Sequence, residues 1–81
     1  MKAHKGTRII CKCGIDAGYF QNAVPDTAHI KTDDIRFDGP VEADIATGTW
    51  MCTNAKCKGI VAQRLSEDRW RVNSKERGWV E

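Results

Sequence analysis

Cys11-Lys12-Cys13-Gly14 and Cys52-Thr53-Asn54-Ala55-Lys56-Cys57-Lys58-Gly59 are two close cysteine pairs, each followed by a glycine and separated by 38 residues. They decide how the chain can fold. A chain of 81 residues keeps much of its surface in water, so a hydrophobic core alone is expected to contribute only ~3–5 kcal/mol and some staple is needed. Four thiolates on two turns are the candidate. Zinc takes four soft or borderline ligands in a tetrahedron with Zn–S near ~2.3 Å, and two thiolates from each turn fill it. Lys12, Lys56 and Lys58 beside the ligands offset the negative charge of such a site. Gly14 and Gly59 let the backbone turn so that amides can point at sulfur.

Working outward from the pairs, Met1–Gly6 has a basic start with no apolar segment behind it, so it does not read as a secretory signal. The expected compartment is therefore the reducing cytoplasm, where an even cysteine count points to metal before disulfides. Disulfides remain an alternative. They would join the two pairs, because bridging Cys11 to Cys13 is strained. An iron–sulfur centre is a further alternative. His4 and His29 read as surface imidazoles, since four cysteines already complete a tetrahedron.

Strand signals flank both pairs. Thr7–Lys12 is β-branched and leads into the first; Tyr19–Val24 reads as the returning strand, stopped by Pro25. Residues 26–34 are polar and read as loop. Ile35 and Phe37 alternate with Arg36 and Asp38, Asp38-Gly39-Pro40 signals a turn, and Val41, Ala43 and Ile45 alternate with Glu42 and Asp44. That pattern predicts a hairpin with one wet face. Thr49–Cys52 enters the second pair. Beyond it, Ile60–Leu65 and Arg69–Asn73 flank the turn Ser66-Glu67-Asp68, which predicts a second hairpin with Trp70 and Val72 facing inward. The rival is a helix from Val61 to Val72. The expected architecture is a single β-rich, zinc-stapled domain over 1–81, in which residues 14–51 form a β-hairpin insertion between the cysteine pairs.

On Cys11, Cys13, Gly14, Cys52, Cys57 and Gly59, the chain resembles the zinc-ribbon class of four-cysteine modules, in which two knuckles on neighbouring hairpins hold one metal. Ribbon knuckles usually carry two residues between their cysteines; here there are one and four. A treble-clef arrangement, α+β with a helix near 61–72, is the alternative to a ribbon-like fold.

Charge is segregated beneath a net of +2. Residues 1–13 carry four basic and no acidic side chains, residues 14–55 two basic against seven acidic, and residues 56–81 seven basic against four acidic. Joining the cysteines would join the two basic ends, and Lys56, Lys58, Arg64, Arg69, Arg71, Lys75 and Arg77 with Trp79 form a candidate nucleic-acid-binding set. A solvated face and, for Trp70, core packing are the ordinary explanations for such residues. A protein adaptor or inhibitor acting through the acidic hairpin expected over 33–45 (Asp33, Asp34, Asp38, Glu42, Asp44) is the second function expected. Thiol exchange at Cys11 and Cys13 is a third. The sequence lacks metalloprotease, deaminase, serine-nucleophile and phosphate-loop signatures. The expectation is thus a non-catalytic module holding one zinc ion, with nucleic acid or a nucleic-acid-associated protein as partner, without a membrane span or an evident small-molecule substrate. Exposed hairpin edges leave a dimer open.

Overall fold

Short strand-forming segments separated by turn residues satisfy their backbone polar groups by pairing with one another. In the computed structural model, which describes residues 1–54 and 56–81, they do so in one antiparallel sheet. Ala55, inside the second cysteine spacer, lies outside the described residues. The strands are β1 (Arg8–Ile10), β2 (Asp16–Phe20), β3 (Ile35–Phe37), β4 (Val41–Asp44), β5 (Thr49–Cys52), β6 (Ile60–Ser66), β7 (Arg69–Ser74) and β8 (Gly78–Val80). A 3-10 turn over Thr32–Asp34 precedes β3. The sheet runs β3-β2-β1-β7-β6-β5-β4, with β8 also pairing with β7.

The two ends of this path, β3 and β4, are joined by three residues only, so the sheet curls into a half-barrel. The expected hairpin of 35–38 with 41–45 does not form: β3 pairs with β2 and β4 with β5. The turn between them explains why. The Asp38 and Gly39 amides both donate to the Ala17 carbonyl on β2, at 3.2 and 3.1 Å, while the Pro40 carbonyl accepts from Thr53 just past β5. Each half of the turn is thereby held to a different neighbour. Inside the curl the Phe37 ring stacks on Trp50, with centroids 4.4 Å apart.

Residues 61–72 form strands, not a helix, and Trp70, Val72 and Ser74 face inward in strict alternation. Opposite β5, β6 skips one residue between Ile60 and Ala62, so the consecutive Val61 and Ala62 are both fully buried. A bulge re-aims a side chain in this way. The returning strand covers Asp16–Phe20, earlier than Tyr19–Val24; Val24 instead makes an isolated bridge to Ala3.

Residues 26–34, which read as polar loop, and the C-terminal segment also contribute to the core. Ile30 is fully buried and its carbonyl accepts from the Trp70 amide at 2.9 Å. The C-terminal segment supplies β8, docked through Ser74, whose buried hydroxyl donates to the Gly78 carbonyl and accepts from the Arg77 amide. With Ile30 and Trp70, the core among the described residues comprises Ala3, Ile9, Cys11, Ala17, Phe20, Val24, Ile35, Cys52, Val61, Ala62 and Val72. Among the described residues no helix is long and apolar enough to cross a membrane.

Candidate metal centre

Cys11 follows the last residue of β1 and Cys52 ends β5, two strands separated in the sheet by β7 and β6. Curling of the sheet, not adjacency of strands, brings the two cysteine turns to one end of the molecule. There the sulfurs of Cys11, Cys13, Cys52 and Cys57 all lie within 4.8 Å of one another. Cys11 and Cys57 are 3.3 Å apart and Cys13 and Cys52 3.8 Å apart. A tetrahedron with metal–sulfur bonds of ~2.3 Å has edges of ~3.8 Å, so the cluster is of the size that one ion requires. All four are free thiols, two buried (Cys11, Cys52), one half-buried (Cys57) and one exposed (Cys13).

Each turn has its own construction. In the first, the Gly14 amide donates to the Cys11 carbonyl at 2.8 Å and the Cys11 amide to the Ile15 carbonyl at 2.9 Å, a tight reversal that Gly14 permits at φ +89°. The Cys13 amide favours the thiolate of Cys11, and the Ile15 amide that of Cys13. Such amide support is common around metal thiolates. In the second turn the Cys57 and Lys58 amides both donate to the Asn54 carbonyl, and the Asn54 side chain accepts from the Lys56 amide.

Here the left-handed residue is Lys58, at φ 48°, rather than Gly59. Gly59 has a different role from the one expected. A Cβ at this position would stand 2.8 Å from the Cys11 sulfur and 3.2 Å from that of Cys57, so its bare Cα leaves the space the sulfurs occupy. The only sequence signal for this role is a glycine two residues past a cysteine, which a turn explains equally well.

The electrostatics of the cluster are uneven. Burial pushes the Cys11 thiol up to about 12, whereas the hydrogen bond from the Ile15 amide draws Cys13 down to about 7. A bound cation favours the thiolate at every position, so metal binding at this cluster would have to displace the proton that burial holds on Cys11. His4 and His29 are exposed and stand apart from the cluster.

The basic residues expected to contact nucleic acid are distributed over several surfaces. Arg69 and Arg71 alternate with the buried Trp70 and Val72 and so point to the outer face of β7. Arg71 lies over the Trp79 ring, 4.4 Å from its centroid, and pairs with Glu81 at 3.7 Å. Lys75 and Arg77 occupy the turn between β7 and β8, and Lys56 and Lys58 the second cysteine turn. Arg64 is opposite Trp70 across β6 and β7, which puts it on the inner face.

Comparison of the chain with known protein families, curated proteins and solved structures finds no match.

Proposed function

We propose that Cys11, Cys13, Cys52 and Cys57 hold one zinc ion, and that the domain is a non-catalytic binding module built around it. The observation that carries this reading is the convergence of four sulfurs within 4.8 Å from turns far apart in sequence. Four thiolates complete a tetrahedral shell and leave no position for an activated water, so the ion acts as a staple between β1 and β5. Its zinc-ribbon resemblance lies in the two-turn ligand plan, applied here to a curled eight-stranded sheet. Metal content of the reduced protein by native mass spectrometry tests the assignment, with one zinc per chain expected.

The partner class is nucleic acid or a nucleic-acid-associated protein. Support comes from Arg69 and Arg71 on the outer face of β7, with Trp79, 41% exposed, against Arg71. Arginines can neutralise phosphate and an exposed indole can stack on an unpaired base. Binding to short single-stranded DNA and RNA, measured by fluorescence polarisation against salt, tests this reading. A steep loss of affinity with added salt is expected, and absence of binding at low salt overturns it. A protein-adaptor role is favoured by a separate observation, the open outer edge of the acidic strand β4.

A further inference from the structure

We infer that the outer edge of β4 accepts an added strand from a partner protein: an extended basic segment in which lysine or arginine alternates with an apolar residue. This rests on the binding-module reading and uses a surface different from the β7–β8 face.

The backbone register identifies the free groups. The Thr53 amide donates to the Pro40 carbonyl, so in the register that follows Glu42 and Asp44 direct their amides and carbonyls towards β5, and Val41 and Ala43 direct theirs away. The Ala43 amide and carbonyl therefore lie along the open edge. β4 ends the sheet path, and Ile45, just beyond it, is 89% exposed. An edge of this kind is a template for strand addition.

Side chains on the same edge specify the added strand. Ala43 lines an open cavity of about 240 Å³ with Ile45, Trp50, Trp70 and Arg64. That volume is below the roughly 300 Å³ at which small-molecule sites begin and suits one apolar side chain. Cross-strand partners share a face, so the added residue opposite Ala43 would project towards this cavity. Its two neighbours would stand opposite Glu42 and Asp44, where positive charge is complementary. A second copy of the chain fits poorly: antiparallel pairing of two β4 edges about Ala43 places Glu42 of each opposite Asp44 of the other, and like charges directly opposite are destabilising.

The test is an amide and indole NMR titration of the 81-residue, zinc-loaded chain. The probes are a blocked peptide alternating lysine and valine, and its glutamate–valine counterpart. The expected result is perturbation of Ala43, Ile45 and the Trp50 indole, with the lysine peptide bound roughly tenfold tighter. Glu42→Lys with Asp44→Lys should reverse that preference. Ala43→Pro, which removes an outward-facing amide and leaves the β5 ladder intact, should abolish binding by both peptides. Equal binding of the two peptides, perturbation confined to other surfaces, no binding, or self-association through β4 would each overturn the inference. Short DNA titrated into the same sample reports on the β7–β8 face separately, so failure of either reading is seen without the other.

Discussion

The Cα of Gly59 faces the sulfur of Cys11 so closely that a Cβ there would lie 2.8 Å from it. No real Cβ tolerates that separation, and both neighbours are constrained: Cys11 is buried, and the Gly59 carbonyl accepts from the Cys52 amide at 2.9 Å. Gly59→Ala is expected to cost about 1–3 kcal/mol, as overpacking in a tight site does, and to weaken metal retention against a chelator. Gly14→Ala makes a useful contrast. Its added Cβ meets nothing within 4 Å, and only the left-handed backbone resists it, so stability should fall by about 1–2 kcal/mol while chelator resistance per folded molecule changes little. Equal chelator sensitivity of the two variants would contradict the steric role of Gly59.

The Phe37–Trp50 stack links β3 to β5 inside the curl. Stacked aromatic pairs contribute about 0.5–1.5 kcal/mol beyond the area they bury. A double-mutant cycle with Phe37→Leu and Trp50→Leu should return a coupling of about that size in thermal or denaturant melts. Strict additivity would mean that the contact does not help to hold the half-barrel closed.

Thr32 joins the 3-10 turn to the β6–β7 hairpin. Its hydroxyl accepts from the Trp70 indole at 3.0 Å and donates to the Asp68 carboxylate at 2.8 Å, and its amide donates to the same carboxylate oxygen at 2.9 Å. Thr32→Val leaves the indole N–H without its acceptor beside a core residue, so a loss of about 1–2 kcal/mol is expected. An unchanged melting temperature would show that water replaces the hydroxyl without cost.

The same network has a pH signature. The Thr32 amide and, next, its hydroxyl hold the Asp68 carboxyl below the usual carboxylate range. A group depressed on folding stabilises the protein above its unfolded value, near ~3.9, and loses that contribution as pH falls through its folded value. Stability of the parent protein should therefore fall more than that of Asp68→Asn on acidification below about pH 4. Parallel acid profiles would remove Asp68 from the account.

Much of this arrangement is written locally. Thr49–Cys52, the hairpin at 60–74 and the inward Trp70 and Val72 follow from alternation and turn residues, which the chain carries within a few positions of where they act. The four cysteines were legible as one site because soft ligands in close pairs have few other uses. What was not legible depends on distant partners. The alternation at 35–38 and 41–45 identifies two strands without choosing their neighbours, and the choice was made by Ala17 and Thr53, which bond opposite halves of the intervening turn. Ile30 and the 78–80 strand sit in polar surroundings and acquire their roles only when Trp70 and Ser74 are folded beside them. Val61 was placed in the core by a skipped pairing, which no periodicity announces. Dispersion of the basic residues over several surfaces has the same origin, since their faces are set by register.

The central claim is that one metal ion closes the two cysteine turns, and metal analysis of the reduced, natively folded chain tests it most directly. Structural zinc contributes apparent free energies of ~10–16 kcal/mol in small finger peptides, more than a domain of this size can supply from its core. The account predicts one zinc per chain by native mass spectrometry, and cooperative loss of β-structure when a chelator removes it or when Cys11 or Cys52 is changed to Ser. A reduced, metal-free chain that keeps its fold and its thermal transition would contradict it.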